Sequence, residues 1–210
     1  MFCLFILSCR KYEQKRQRQR ATWLKTPPVP LWFHVQGDES LTEEWQFDMS
    51  ENLLTVRCPD DYMSLCKKTW TAIKAIRTQY PAVTHILKTD DDMDCNLEAI
   101  RKLLGAFAAY DYGGNFTVIP TDCLSTYHYH SAVGAERKPA IVSACRYASG
   151  RFYFLSARAA DIAVSKQELF WSRVFEDNTV GFALSAIPDL KLLPIPDKLC
   201  FKEWSDESVR

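Results

Sequence analysis

Acidic residues are concentrated in one short segment of the chain, at Asp90, Asp91, Asp92 and Asp94. They follow the apolar segment 84–87, which we predict to be a strand; ligands of α/β proteins bind at the carboxyl ends of such strands. Adjacent carboxylates repel one another, so a folded protein seldom gathers them without a cation. Hard oxygen ligands suit Mg²⁺ or Mn²⁺ bound together with phosphate oxygens. The segment therefore predicts a divalent metal site.

Two other metal or phosphate chemistries can be compared with the same segment. An EF-hand loop that started at Asp90 would need Gly at its sixth position and Glu at its twelfth, where this chain has Cys95 and Arg101. A phosphatase-type aspartyl nucleophile would also follow a strand, but we find no partner motif for it. An acidic, solvated helix start remains an alternative, because Asp is favoured there.

Strand-like and helix-like segments alternate along the chain, which predicts an α/β layer architecture. Residues 1–9 are apolar on both alternating faces and predict a central strand that is buried on both sides. No basic stretch precedes this segment and no small-residue cleavage site follows it, so we favour a strand over a signal peptide. The segment is also too short to span a bilayer.

Other elements follow from periodicity and turn residues. Strands are predicted at about 2–8, 31–35, 53–56, 84–87, 140–144, 152–156 and 190–194. Helices are predicted at about 10–25 and 62–79, from 97 onwards, and in the alanine-rich segment after 156. The apolar face of the second helix consists of Met63, Cys66, Trp70, Ile73 and Ile76. Asn96 is predicted to cap the third helix, and 118–139 to form a long functional loop.

The length of 210 residues predicts a single domain over 1–210, and the 26 basic and 26 acidic residues balance. Overall charge therefore does not indicate a nucleic-acid or membrane partner. A nucleic-acid-binding module that uses the basic segment 10–25 is an alternative, although no aromatic platform is interleaved with it. The eight cysteines show no CxxC pattern, which argues against a structural zinc site and favours reduced thiols in a cytoplasmic protein.

Five blocks of the sequence resemble, in the same order, those of the β-1,3-galactosyltransferase and Fringe-like family of GT-A-fold glycosyltransferases. RQRQRATW (16–23) is similar to RxxxIRxTW, YMSLCKKT (62–69) to YxNLxxKT, KTDDD (88–92) to KxDDD, YASGRFYFLS (147–156) to YxxGxxYxLS, and EDNTVG (176–181) to EDVxxG. Ser64 and Asn178 depart from the second and fifth patterns. The compact chain also resembles the glycosyltransferase domains of large algal viruses, which decorate capsid protein.

This resemblance implies a GT-A-type, Rossmann-like nucleotide-binding fold with a central mixed, mainly parallel sheet flanked by helices. It also implies a metal-dependent, inverting transfer of a hexose or deoxyhexose from a UDP-sugar donor to a glycan or glycoprotein acceptor. The donor-binding part would be about 1–95 and the acceptor-side part about 96–210. We expect no nucleic-acid partner and no membrane span. The host cytoplasm, the Golgi lumen for a catalytic fragment, and membership of a longer multidomain chain stay open.

The resemblance further implies roles for the acidic triplet. Asp92 would ligate Mn²⁺ or Mg²⁺ directly, Asp90 would reach the donor ribose and join the metal site, and Asp91 would support either task. Family members often take another metal ligand from a C-terminal histidine. This chain has no histidine after His130, so water or a loop residue would substitute.

Asp177 is the candidate general base, and Glu176 would position it; the alternative for both is the preference for acids at a helix start. Donor contacts are predicted at Ser8, Arg16, Arg20, Lys68 and Gly150. For the arginines the alternative is a solvated helix face, and for Lys68 a surface position. Acceptor contacts are predicted at Tyr127, His128, Tyr129 and His130, with loop packing as the alternative. Trp23 and Trp70 are predicted to be core residues.

Two other functional classes remain open at this stage. A metal-dependent phosphohydrolase or nucleotidyltransferase would use the same acidic segment, but it would release phosphate or pyrophosphate. A degenerate, non-catalytic sugar-binding relative would keep its role without Asp177.

Overall fold

The computed structural model of the protein describes residues 1–126 and 139–204. The strands are β1 Phe2–Leu7, β2 Leu31–Gly37, β3 Trp45–Asp48, β4 Leu53–Val56, β5 His85–Asp90, β6 Met93–Cys95, β7 Tyr112–Ile119, β8 Cys123–Ser125, β9 Ala140–Val142, β10 Cys145–Ser156, β11 Leu192–Pro194 and β12 Phe201–Glu203. The α-helices are α1 Glu13–Ala21, α2 Leu65–Gln79, α3 Leu97–Phe107, α4 Ala157–Val164, α5 Gln167–Trp171 and α6 Glu176–Leu184. Short 3₁₀ turns at Arg10–Tyr12 and Trp23–Lys25 flank α1.

Eight strands form the central sheet in the order β11-β7-β10-β5-β1-β2-β4-β3. The pairs β5–β1, β1–β2, β2–β4 and β11–β7 are parallel, and the remaining three pairs are antiparallel. Helices pack against both faces, so the predicted α/β fold with a mixed, mainly parallel sheet is confirmed. Because β1 and β5 are parallel neighbours, Leu7 pairs with Asp90 and the chain segments that follow both strands meet.

Strand β1 is buried on both faces, as its apolar alternation predicts. Phe5 is fully buried in the core that lies under α2, and Leu4 is fully buried in the core that contains Phe107 of α3. A buried strand flanked on both sides by parallel partners is the usual centre of such a sheet. None of the helices in the described part of the chain is both long and apolar enough to cross a bilayer.

The predicted helix faces are largely confirmed. Cys66, Trp70, Ile73 and Ile76 of α2 are buried, and Trp23 is buried as predicted. Met63 was wrongly assigned to this face: α2 begins only at Leu65, and Met63 is 42% exposed in the preceding turn. At α3, Asn96 is the N-cap, and its side chain accepts a hydrogen bond from the N–H of Ala99 at 3.1 Å.

Several other boundaries differ from the prediction. The helix predicted at 10–25 is reduced to α1 and its two 3₁₀ turns, and β3 was not predicted. The first residues of the predicted loop 118–139 belong to β7 and β8, because cross-strand pairing with β10 and β9 orders segments that have weak local periodicity. All eight cysteines are free thiols.

Candidate functional site

A tight turn between β5 and β6 carries the acidic triplet. Asp90 ends β5, Met93 starts β6, and the N–H of Asp91 donates to the carbonyl of Leu7 at 3.0 Å. On the other side of the turn, the N–H of Trp204 donates to the carbonyl of Asp92 at 3.2 Å. The backbone of the turn is therefore held between the end of β1 and the segment that follows β12.

The three carboxylates of the triplet point in different directions. Asp91 is 5% exposed; its Oδ2 accepts from the hydroxyl of Ser8 at 2.7 Å and its Oδ1 from Lys15 Nζ at 3.3 Å. Asp90 Oδ1 lies 2.7 Å from Lys88 Nζ. Asp92 Oδ2 lies 3.6 Å from Lys15 Nζ, while its Oδ1 is buried without a hydrogen-bond partner among the described residues. Asp91 thus has both oxygens engaged by the protein, whereas Asp92 keeps one free.

Burial makes this acidic turn electrostatically costly. It raises the pKa of Asp90 to about 6, against the lowering influence of Lys88 and with repulsion from Asp92 added. Burial likewise raises the pKa of Asp91 to about 6, although Lys15 and the Ser8 hydroxyl oppose it. A bound cation would offset both effects, because an opposite charge favours the ionised carboxylate.

The donor set fits a metal that is shared with a phosphate ligand. In the part of the chain that the structure describes, no three His, Cys, Asp or Glu side chains are grouped so as to hold a metal ion by themselves. Mg²⁺ and similar ions are commonly held by only one or two carboxylates, with substrate phosphates and water completing the shell. Asp90 and Asp92 would supply those carboxylates, whereas both oxygens of Asp91 already accept hydrogen bonds from Ser8 and Lys15. The metal itself stays a prediction.

Lys88 connects the acidic turn to Glu176, the residue next to the candidate base Asp177. Its side chain is 2% exposed, and its Nζ lies 2.7 Å from Asp90 Oδ1, 3.5 Å from Glu176 Oε2 and 2.5 Å from the carbonyl oxygen of Gly150. Burial alone would lower the pKa of Lys88, but Asp90 and Glu176 outweigh it and hold that pKa above its ordinary value. A permanently charged ammonium therefore lies between the triplet and the start of α6.

Glu176 and Asp177 begin α6 and have different surroundings. Glu176 is 6% exposed, and its Oε1 accepts a hydrogen bond from the hydroxyl of Tyr153 at 2.5 Å. Asp177 is half-buried; its Oδ2 accepts from the N–H of Gly150 at 3.1 Å and its Oδ1 from the N–H of Asn178 at 2.8 Å. Glu176 thus faces the core, and Asp177 is the member of the pair that a substrate can reach.

The pKa of Asp177 is displaced in the direction that suits a base. Burial raises it above the ordinary value, although the N–H of Asn178, the charge of Lys88 and the N–H of Gly150 partly oppose this. A carboxylate with a raised pKa binds a proton more readily at neutral pH, which is the property required of a general base.

Gly150 lies directly over this cluster. A Cβ at this position would be 3.4 Å from Lys88 Nζ and 3.6 Å from the carboxylate oxygens of both Asp177 and Glu176. The glycine therefore leaves the space above the three charged groups open and contributes its own N–H and carbonyl to them. This position agrees with the predicted close approach to the donor, which stays a prediction.

Arg16 and Arg20, the predicted donor contacts, bind other parts of the protein in this structure, and their contacts with a donor stay predictions. Arg16 is 7% exposed and its Nη1 donates to the carbonyl of Cys9 at 2.7 Å, while Arg20 pairs with Glu51 at 3.0 Å. Lys15, from the same helix, makes the contacts with the acidic turn. The spacing could have indicated it: Lys15, Gln19 and Trp23 lie at i, i+4 and i+8, and all three contact residues 90–93.

Lys68 is buried, so the surface alternative for it is wrong. Its Nζ donates to the carbonyl of Ser8 at 2.9 Å and to Asp60 Oδ1 at 2.6 Å, and the same oxygen accepts from the N–H of Gly37 at 2.7 Å. Lys68 therefore fixes the backbone at the end of β1, and it thereby positions the Ser8 hydroxyl that donates to Asp91. Direct contacts of Lys68 and Ser8 with a donor stay predictions.

Close packing of α6 on β10 places the candidate base. A Cβ at Gly181 would lie 2.3 Å from the Cβ of Tyr147 and 2.7 Å from the carbonyl of Arg146, so only glycine permits this approach. Asn178 adds a two-way hydrogen bond to Ser143, accepting from its N–H at 2.8 Å and donating to its carbonyl at 3.0 Å.

A second group of predicted contacts concerns the acceptor. The proposed acceptor residues Tyr127, His128, Tyr129 and His130 fall outside the described residues. A small open pocket elsewhere on the protein is lined by Asn115, Ser149, Arg151, Phe152, Ile195, Pro196, Asp197, Lys198, Cys200 and Phe201. It lies on the side of the sheet that carries Phe152, whereas Tyr153 and Glu176 lie on the opposite side.

The chain matches one known protein family, and a solved structure is similar to it. The sequence profile of the galactosyltransferase family matches residues 14–188, which include the triplet, Glu176 and Asp177. A solved structure described as a glycosyltransferase involved in the glycosylation of the major capsid of PBCV-1 is 15% identical, with a TM-score of 0.47 over 92% of this chain and 82% of that chain. No curated protein matches the sequence.

Proposed function

The chain belongs to the galactosyltransferase family, and from this premise we propose that it transfers a hexose or deoxyhexose from a UDP-sugar to a glycan or glycoprotein acceptor, with inversion and with Mn²⁺ or Mg²⁺. One observation carries the proposal: the buried ammonium of Lys88 lies 2.7 Å from Asp90 and 3.5 Å from Glu176. The acidic turn is far in sequence from Glu176 and Asp177, and Lys88 thereby joins the two groups into one candidate site.

Donor binding is assigned to the turn and to α1. Asp90 and Asp92 would hold the divalent cation, which when bound would neutralise the charge of the departing nucleoside diphosphate. Lys15 already lies within 3.6 Å of two of the turn's carboxylates and would contact a diphosphate oxygen. We accordingly keep the donor-binding part at about 1–95 and the acceptor-side part at about 96–210.

Proton transfer is assigned to Asp177. An acceptor hydroxyl would attack the anomeric carbon of the sugar and form the new C–O bond, while the bond from that carbon to the diphosphate oxygen breaks. The diphosphate leaves with the bonding electron pair, and Asp177 takes the hydroxyl proton. Each oxygen of Asp177 accepts one backbone N–H and retains a lone pair for that proton.

Calorimetric titration of the protein with UDP and several UDP-sugars tests this proposal, with Mn²⁺ and with a chelator. Asp92→Ala should abolish metal-dependent UDP binding, and the matched variant Asp94→Ala, outside the triplet, should retain it. Absence of binding to the unaltered protein in both conditions would refute the UDP-sugar assignment. Equal binding by Asp92→Ala would refute the role of the triplet.

Product analysis separates transfer from the alternative phosphate chemistry. A glycosyltransferase yields a glycosylated acceptor, or a free sugar from slow donor hydrolysis, together with UDP. A phosphohydrolase or nucleotidyltransferase would instead release phosphate or pyrophosphate. Family membership favours the first outcome.

A further inference from the structure

Gln19 of α1 binds both ends of the acidic turn. Its side chain is fully buried, and its Nε2 donates to the carbonyl of Asp90 at 3.1 Å and to the carbonyl of Met93 at 3.0 Å. An amide nitrogen has two hydrogens, so both donors of this group are used. One side chain therefore fixes the separation between the two ends of the turn that presents Asp91 and Asp92.

His34 of β2 completes this arrangement. Its Nε2 lies 2.9 Å from Gln19 Oε1, and the histidine is fully buried. Because the Gln19 nitrogen donates to two carbonyls, its oxygen must accept, and the hydrogen therefore belongs to His34 Nε2. Burial, with smaller contributions from Arg20 and Arg16, lowers the pKa of His34 to about 3, so the ring is neutral at physiological pH.

We propose that Gln19 and His34 are positioning residues: His34 orients the Gln19 amide, and the amide holds the carbonyls of Asp90 and Met93 so that Asp90 and Asp92 face the donor. That the ligand at this turn is a metal–diphosphate complex rests on the function proposed above. The geometry of the unliganded turn does not depend on that function.

Packing alone does not explain why Gln19 and His34, two polar residues, are buried at this place in the core. Gln19 and His34 lie beside a core formed by Leu4, Ile6 and Trp32, where apolar residues would fill the same space without buried polar atoms. His34 Nδ1 is also buried with no hydrogen-bond partner in the described ranges. A buried network with this cost gives one defined geometry, which is the requirement of groups that orient metal ligands.

The experiment compares four variants with the unaltered protein. Gln19→Leu removes the amide that binds the carbonyls of Asp90 and Met93. His34→Leu removes only the ring that orients this amide, and His34→Gln restores a donor close to the position of Nε2. Gln36→Leu is the matched control, because Gln36 is a 7% exposed glutamine of the same strand. Among the described residues, its Nε2 donates to one group, the hydroxyl of Thr55 at 3.3 Å. Two quantities are measured: hydrogen exchange of the peptide that contains residues 89–94 without ligand, and UDP affinity with Mn²⁺.

We expect Gln19→Leu and His34→Leu to speed exchange in that peptide by about tenfold or more, while distant peptides are unchanged. UDP affinity should fall by roughly 10- to 100-fold, the usual effect of losing a group that orients metal ligands. His34→Gln should restore most of both quantities, and Gln36→Leu should change neither. Unchanged exchange in both leucine variants, or an equal change in Gln36→Leu, would overturn the inference. If the unaltered protein binds no UDP, the proposed function fails and the exchange data alone decide the inference.

Discussion

The hydroxyl of Tyr153 on β10 donates to Oε1 of Glu176 at 2.5 Å, inside the core. This contact joins the sheet to the first turn of α6 at the residue next to the candidate base. The pKa of the Tyr153 hydroxyl lies well above its ordinary value, because burial and the Glu176 charge both disfavour the phenolate. The hydroxyl is therefore a permanent donor to Glu176.

Tyr153→Phe removes this donor and leaves a buried carboxylate oxygen unpaired. We expect the free energy of unfolding to fall by about 1.5–3 kcal/mol, the range for hydrogen bonds to charged groups. Tyr112→Phe is the matched comparison, since the Tyr112 hydroxyl accepts a hydrogen bond from the uncharged N–H of Ala148, and its loss should cost about 1 kcal/mol. Urea denaturation measures both; a larger loss for Tyr112→Phe would contradict the assignment.

Asp177→Asn removes the candidate base and keeps its shape. We expect kcat for sugar transfer to fall by about 10²- to 10⁴-fold, because proton transfer to a positioned carboxylate is lost. UDP affinity with Mn²⁺ should stay within a few-fold, since Asp177 makes none of the proposed donor contacts. Asp161→Asn, whose side chain is 58% exposed, is the control that should change neither quantity. Full activity of Asp177→Asn would assign the base elsewhere.

The pH dependence of kcat follows from the raised pKa of Asp177. Only the carboxylate form accepts a proton, so the rate should rise with pH as Asp177 ionises. Because burial raises this pKa, the acid limb should lie above the range of an ordinary aspartate. A pH–rate profile with saturating donor measures it. An acid limb at or below the ordinary aspartate range would argue against Asp177.

Lys15→Met tests the basic residue that contacts the turn. Lys15 lies 3.3 Å from Asp91 and 3.6 Å from Asp92, and we expect UDP affinity to fall roughly tenfold when its charge is lost. Binding of uridine, which has no phosphate, should not change. Lys25→Met is an exposed control from the same basic segment. A parallel loss of uridine binding would indicate a role in shaping the pocket rather than in contacting the diphosphate.

Gly181→Ala tests whether close helix packing places the base. An added Cβ would lie 2.3 Å from Tyr147 Cβ and 2.7 Å from the backbone of Arg146, so α6 must shift, with a loss of about 1–3 kcal/mol in unfolding free energy. Gly105→Ala in α3 meets no atom within 4 Å and should stabilise by about 0.5–1 kcal/mol. Thermal unfolding compares them; equal effects would refute the packing argument.

Local patterns in the sequence were sufficient for several features. The alternation of apolar residues over 2–8 predicts a buried strand, the apolar segment 84–87 predicts the strand that precedes the acidic triplet, and Asn96 predicts a helix start. Each of these depends on residues within one or two turns of chain, where periodicity and capping act. The predicted fold class is confirmed for the same reason.

The tertiary structure decided which side chains meet. Sheet order brings β10 beside β5 and thereby places Tyr153 and Gly150 against Lys88, while the packing of α6 adds Glu176 to the same ammonium. Gln19, which belongs to the helix predicted at 10–25, is fully buried against the acidic turn. Its burial depends on the position of α1 over β2 and β5, and that position is determined by long-range contacts that no local pattern encodes.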